Sequence, residues 1–339
     1  MEKVRFGKTG LMVSKIAFGA IPIMRIPKAD AAKLVREALD LGINFIDTAN
    51  GYVDSEEKIG EAIKGMKREN IVIASKSIAG DKSTFNEHLD LSLKRLGVEY
   101  IDIYQLHNVA SEAQRKAVFA PGGAFEGLEE AVKAGKVRFP AFSSHNIAMA
   151  VELMKGERFM SVQLPFNYID REAEDVAIPL AKELDMGFIA MKPMGGGLLD
   201  NAGLAFRYLA QYDSIIPDPG MEKPEELREI LGIVEKNEAL SAEDKKEIER
   251  QRKDFDSSWC HRCDYCAPCP QGIHISTVLN VRSFFKRMTL ERARSFVGIP
   301  IEKAKTCTNC GECVKRCPYH LEIPSLLKER LAFWASLEQ

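Results

Sequence analysis

Gly42-Ile43-Asn44-Phe45-Ile46-Asp47-Thr48-Ala49-Asn50-Gly51-Tyr52 reads as a buried strand ending in a polar turn, with an acid at the strand's end and a tyrosine five residues on. The same pattern recurs downstream. Ile71-Val72-Ile73-Ala74-Ser75-Lys76 runs out in a lysine, and Ile101-Asp102-Ile103-Tyr104-Gln105-Leu106-His107 in a histidine. Short apolar runs of this kind, alternating with segments of helical period, indicate parallel strands covered by crossover helices.

Working outward, residues 3 to 20 read as a hairpin turned by Gly7-Lys8-Thr9-Gly10, leading into a strand over 15 to 19. A helix over 30 to 39 follows, with Asp30 as N-cap and Gly42 as its stop. Strand and helix then alternate. The strands are 43 to 47, 71 to 75, 101 to 106, 137 to 143, 160 to 164, 187 to 192 and 214 to 217. The helices are 55 to 65, 83 to 96, 124 to 134 after a longer loop, 147 to 155, 171 to 184, 202 to 212 and 224 to 236. Eight strand-and-helix units favour a (β/α)8 TIM barrel with an N-terminal β-hairpin over an open doubly wound sheet. The first strand is followed by no G-x-G-x-x-G, which argues against a Rossmann fold.

The chain has 339 residues, 45% apolar and 28% charged, with a formal net charge of -2. That balance gives no reason to invoke nucleic acid or an anionic membrane surface. No apolar run approaches the roughly 18 residues a bilayer span needs, and Met1-Glu2-Lys3-Val4-Arg5-Phe6 is no secretory signal, so a cytoplasmic protein is expected. All eight cysteines lie between Cys260 and Cys317, which marks a module boundary. Residues 1 to 250 carry 33 basic and 40 acidic side chains, and residues 251 to 339 carry 14 and 9. The predicted organisation is a barrel over 1 to 240, a charged helical connector over 241 to 256, and a small α-rich, cysteine-bearing domain over 257 to 339.

Asp47, Tyr52, Lys76 and His107 suit one task. A tyrosine ordinarily titrates near ~10, so it is a useful acid only where its phenolate is stabilised. A lysine beside it does this, an aspartate keeps that lysine charged and aimed, and a histidine can hold a carbonyl oxygen by hydrogen bond. Singly, each residue has a plain structural reading as cap, packing residue, solvated cation or satisfied core histidine. Together at successive strand ends they point to protonation of a small carbonyl substrate receiving hydride at carbon.

The cysteines form two runs. Cys260, Cys263, Cys266 and Cys269 read C-x2-C-x2-C-x2-C-P, and Cys307, Cys310, Cys313 and Cys317 read C-x2-C-x2-C-x3-C-P. The second has the bacterial ferredoxin spacing for a [4Fe-4S] cluster, and the first is one residue shorter. Zinc sites of four cysteines usually separate their two pairs by a dozen or more residues, which these runs do not. His261 and His320 adjoin the runs without ligand spacing of their own. The resemblance to ferredoxins implies two [4Fe-4S] clusters, Cys260, Cys263 and Cys266 pairing with Cys317, and Cys307, Cys310 and Cys313 with Cys269.

Leu11 to Gly19, Asn44 to Tyr52 with Glu56, Lys58, Ile59 and Gly60, and Leu96 to His107 resemble the aldo-keto reductase family, in the branch with a ferredoxin-like C-terminal domain. The resemblance runs to about residue 236. It implies carbonyl reduction with NADP or NAD, Tyr52 as acid, and Asp47, Lys76 and His107 in support. It places nicotinamide-carboxamide contacts on Ser143, Ser144 and Gln163, and further cofactor contacts on Met191, Gly220 and Lys223. Met191 stands where the family often stacks an aromatic, the turn Ile216 to Lys223 is longer than usual, and Ile230 replaces an adenine-contacting asparagine. Glu222 would repel a 2'-phosphate and Lys223 attract one, which leaves NAD and NADP both open. Hydride carries two electrons and a cubane passes one, and no flavin motif bridges them. The clusters are then structural, or exchange electrons with a redox partner protein, or work with a further cofactor. A redox-sensing or electron-transfer protein using the barrel as a docking platform is the alternative.

Overall fold

The computed structural model describes residues 1 to 337. Ten strands form: β1 (Lys3–Arg5), β2 (Met12–Ser14), β3 (Phe18–Gly19), β4 (Phe45–Asp47), β5 (Val72–Ser77), β6 (Ile101–Leu106), β7 (Val137–Ser143), β8 (Ser161–Pro165), β9 (Gly187–Met191) and β10 (Ile215–Asp218). β1 and β2 pair antiparallel with Val4 opposite Val13, which is the expected hairpin. β3 to β10 lie parallel in chain order. The sheet closes where the Ala17 amide donates to Pro217 O (2.9 Å) and the Gly19 amide to Pro219 O (2.8 Å). The result is the (β/α)8 barrel.

The hairpin plugs the barrel's N-terminal end. Phe6, Leu11 and Val13 pack with Phe45, Val72, Ala74, Ile103, Ala141, Ile189 and Ile216 from six of the barrel strands. Phe6 meets Phe45 edge-on at 5.4 Å and lies so close to Gly187 that a Cβ there would fall 2.4 Å from its ring. With that end filled, the C-terminal mouth is the end at which loops can build a site.

Each barrel strand is followed by a helix: Lys28–Asp40, Ser55–Ile63, Lys82–Leu96, Ala124–Lys133, Ile147–Lys155, Ala177–Glu183, Ala202–Leu209 and Pro224–Lys236. Three local expectations change. Pro27, not Asp30, is the N-cap of the first helix, and Asp30 sits in the first turn, where the helix dipole favours an acid. The loop after β6 contains a helix, Glu112–Phe119, whose cap Ser111 accepts from the Gln114 amide (3.3 Å). The helix expected over 171 to 184 begins only at Ala177.

The chain forms two compact units, the second taking Leu240 onward together with Gly195 to Asp200. The charged helix Ala242–Asp256 therefore belongs to the second unit instead of standing apart as a connector. Its cap Ser241 accepts from the Asp244 amide, and Ile248 is its buried residue. Helices Ile275–Leu279, Val281–Arg287, Leu290–Ala304, Glu312–Arg316 and Ile323–Ser336 follow. They enclose an apolar core that includes Val278, Val281, Val297, Ile301, Ile323 and Leu327 and takes in Cys266, Cys313 and Cys317. Gly195, Gly196 and Gly197 all have positive φ, and a Cβ on Gly195 would lie 2.5 Å from the Trp259 ring.

Candidate active site and cysteine module

Strand register brings the four predicted catalytic residues to one place. Asp47 ends β4, Lys76 is the fifth residue of β5, and His107 follows β6. The turn after β4 is held by Thr48 and Ser55, whose hydroxyls pair at 2.9 Å, and by Ser55 Oγ donating to Ala20 O (2.8 Å). That turn carries Tyr52 back over the strand ends. Lys76 Nζ donates to Asp47 Oδ2 and to Thr48 O, both at 2.6 Å, and lies 5.2 Å from the centre of the Tyr52 ring. The Tyr52 and His107 rings meet edge-on at 6.0 Å.

The electrostatics follow from burial. Burial opposes the charge on Lys76, but Asp47, Tyr52 and Asp218 together hold its ammonium above the ordinary lysine value. His107 moves the other way. Burial first, then the positive charges of Lys76 and Lys192, push it down to about 3, so the imidazole is neutral and can donate one hydrogen bond.

The predicted cofactor residues lie around the same mouth. Ser143 ends β7, and its hydroxyl accepts from the Asn108 amide (2.9 Å). Ser144 Oγ donates to Asn146 O (3.1 Å) and accepts from its amide (3.0 Å). Gln163, in β8, donates from Nε2 to Asp47 Oδ2 and to Asp218 Oδ2, each at 3.1 Å, while its Oε1 is buried without a partner. Met191 ends β9, and its sulfur lies 3.8 Å from Lys192 Nζ. Gly220 forms a parallel bridge with Gly19 in the barrel's closing turn. Lys223 is the exposed N-cap of Pro224–Lys236, whereas Glu222 turns to Arg25 (3.4 Å). Ile230 is buried in that helix's inner face.

Two residues of this mouth escaped the sequence reading. Lys192, with φ of +59°, reaches His145 Nε2 with its ammonium, and His145 Nδ1 is 2.7 Å from Asn108 Oδ1. Asp218 ends β10 beside Asp47 and Lys76. Both stand at strand ends, the position that signalled the other four.

In the second unit, Cys269, Cys307, Cys310 and Cys313 line one cavity with Ile273, Ile275, Pro324 and Leu327. Cys260, Cys263 and Cys266 stand near one another. His261, next to Cys260, stacks at 3.8 Å on Tyr319, two residues past Cys317. Arg316 Nη1 and Nη2 donate to Ala267 O and Pro268 O, both at 2.9 Å, and so tie the two runs together. Burial pushes the Cys260 and Cys266 thiols up to about 12. Thiols in such surroundings are poor anions alone and lose their protons to a bound metal centre. The donor set is all sulfur, which suits iron-sulfur clusters. Among the described residues, no three His, Cys, Asp or Glu converge on a single ion.

A barrel of this topology with an acid, a phenol, an ammonium and an imidazole at its mouth defines a class of oxidoreductases that act on carbonyl groups. The model of the Aldo/keto reductase family matches residues 15 to 204, and the chain belongs to that family. Residues 259 to 322 match a 4Fe-4S dicluster domain. Among relatives, the chain is 30% identical over 233 residues to the oxidoreductase YrpG of Bacillus subtilis, covering 60% of this chain and 70% of that one. It is 28% identical over 262 residues to the aldo-keto reductase YhdN of the same organism, covering 71% and 76%. Among solved structures, aldo-keto reductase AKR11C1 from Bacillus halodurans in its holo form superposes with a TM-score of 0.63 at 24% identity, covering 74% of this chain and 96% of that one. An aldo/keto reductase from Klebsiella pneumoniae in complex with NADP and acetate gives 0.62 at 22%, covering 74% and 95%. The protein is an aldo-keto reductase-type oxidoreductase with a dicluster domain, and none of its helices, among the described residues, is long and apolar enough to cross a membrane.

Proposed function

We propose that the barrel reduces a small aldehyde or ketone with hydride from a nicotinamide dinucleotide, and that Tyr52 is the acid. The observation that carries this reading is Lys76: paired to Asp47 at 2.6 Å, it holds a buried positive charge beside the Tyr52 ring. An ammonium so placed stabilises the phenolate that remains when the phenolic proton passes to the carbonyl oxygen. Neutral His107 holds that oxygen by hydrogen bond, and Asp47 keeps the ammonium aimed.

A bound dinucleotide would supply the hydride at the mouth. The unpartnered Oε1 of Gln163 fits a carboxamide N–H, with Ser143 and Ser144 on the neighbouring strand end. Met191 and Gly220 would border it. Engagement of Glu222 by Arg25 leaves Lys223 as the side chain of that turn suited to a 2'-phosphate, which favours NADP over NAD.

In the second unit the reading is two [4Fe-4S] clusters, which pass single electrons when present. Cys307, Cys310, Cys313 and Cys269 would hold one, supported by their common cavity. Cys260, Cys263, Cys266 and Cys317 would hold the other, supported by the His261–Tyr319 stack.

Anaerobic fluorescence titration with NADPH and NADH, then turnover of a panel of aldehydes and ketones by the wild type and Tyr52→Phe, tests the barrel. Binding by both proteins with turnover by the wild type alone is expected. Absence of dinucleotide binding at millimolar concentration would remove the reductase reading in favour of a docking platform.

A further inference from the structure

Asp218 has no part in the chemistry above, yet it shares Gln163 with Asp47 and acts on Lys76. It ends β10 in register with Met191 of β9 and is buried. One amide spans it and Asp47, since Gln163 Nε2 lies 3.1 Å from an oxygen of each. Among the described residues the Oδ1 atoms of both carboxyls find no donor, and each carboxyl acts on the charge of the other across the shared amide. Two carboxylates cannot hydrogen-bond without a proton between them, and their charges repel. The cation at hand, Lys76, is already committed to Asp47 at 2.6 Å. From β3 the neighbour is Gly19, where a Cβ would lie 2.8 Å from Asp218 Oδ1, so that strand brings no side chain to the group. The charged groups that act most strongly on Asp218 are Asp47 of β4 and Lys76 of β5, with neutral Gln163 of β8.

We propose that Asp218 carries a proton shared with Asp47 and is a positioning residue for Tyr52, because its hydrogen bond draws Asp47's charge partly away from Lys76 and leaves the ammonium to act on the phenol. This rests on the reading of Tyr52 as the acid. Burial, reinforced by Asp47 and opposed by Lys76, holds the Asp218 carboxyl well above the ordinary carboxylate range. Once Asp218 ionises, a second negative charge stands beside Lys76 and Tyr52 becomes a weaker acid. The sign is therefore fixed: the contribution is full while Asp218 is protonated and is lost as pH rises through its folded value.

Asp218→Asn mimics the protonated group at every pH, while Asp218→Ala removes the donor. The infrared spectrum of the intact holoprotein near neutral pH should contain a protonated carboxylic C=O stretch that disappears in Asp218→Asn. The ratio of wild-type to Asp218→Asn kcat should fall with rising pH, and Asp218→Ala should lose about tenfold more kcat than Asp218→Asn, the equivalent of one hydrogen bond. Absence of that infrared band, or a ratio that is flat or rises with pH, overturns the proposal. If Asp218→Ala does not fold, the band and the ratio decide alone. The band is independent of turnover, so it separates this inference from the reductase reading: an active Tyr52→Phe sinks the acid and leaves the shared proton standing, while an ionised Asp218 sinks only the sharing.

Discussion

Replacing Lys76 by Met removes a charge and keeps most of the volume. The Lys76 side chain is 2% exposed and that of Asp47 3%, with Nζ and Oδ2 2.6 Å apart. Without the ammonium, the single negative charge of the Asp47 and Asp218 pair is left buried and without the cation that Lys76 supplies. Removing one partner of a buried pair costs about 3–5 kcal/mol, whereas removing both is often close to neutral. Lys76→Met should accordingly destabilise the barrel by about 3–5 kcal/mol, and Lys76→Met/Asp47→Asn should recover at least about 2 kcal/mol of that. Urea unfolding followed by far-UV circular dichroism reads both units together, while emission from Trp259 and Trp334 reads the second unit alone, since the barrel has no tryptophan, so a transition seen only by dichroism belongs to the barrel. The folded-state value of Lys76 is raised, so the pair's stabilisation is complete below the ordinary lysine range near ~10.4 and is lost as pH rises through the folded value. A coupling below about 0.5 kcal/mol in the double-mutant cycle would refute the claim that the pair is one buried electrostatic unit.

Tyr52→Phe should lower kcat by at least about 100-fold, the lower range for a lost general acid, with the dissociation constant for NADPH within a factor of two or so in titration. His107 is held neutral down to about 3, while the unfolded chain takes up its proton near ~6.5. Wild type should therefore lose stability relative to His107→Gln as pH falls from about 6.5 toward 3, measured as the shift of urea midpoint with pH. Cys269→Ser should remove the paramagnetic signal of the cluster proposed on Cys307, Cys310 and Cys313, and Cys317→Ser that of the one proposed on Cys260, Cys263 and Cys266. Loss of the same signal in both variants would show the cross-pairing to be wrong.

Most of the barrel was legible because its strands are short, continuous apolar runs fenced by turn residues. β6, β7 and the helices Ile147–Lys155 and Pro224–Lys236 have the limits that such runs predict. Where the reading slipped, a local signal was weak or a neighbouring one was stronger. Glu112–Phe119 buries Val118 alone, so it has no apolar face for a period to reveal. Pro27 pre-sets the chain for the turn, so the helix begins at Lys28, ahead of Asp30. β3 is reduced to Phe18 and Gly19, because much of its pairing is with the closing turn at Pro217 and Pro219, some two hundred residues away.

The site divides along the same line. Asp47, Lys76 and His107 were found singly, since each is a polar residue where an apolar run stops, and a barrel gathers such residues by construction. The cysteines were found by spacing, which is also local. Asp218 obeys the strand-end rule as well as they do, but its meaning depends on which carboxyl faces it, and Asp47 is 171 residues earlier. Only closure of β10 onto β3 brings the two together. Gln163 shows the same limit from the other side: its amide could be placed at the mouth from sequence, while the bridge it makes between Asp47 and Asp218 belongs to three strands at once. A substitution at Gln163 would therefore disturb the shared proton along with any dinucleotide contact, and measuring it beside Asp218→Asn separates the two effects on turnover.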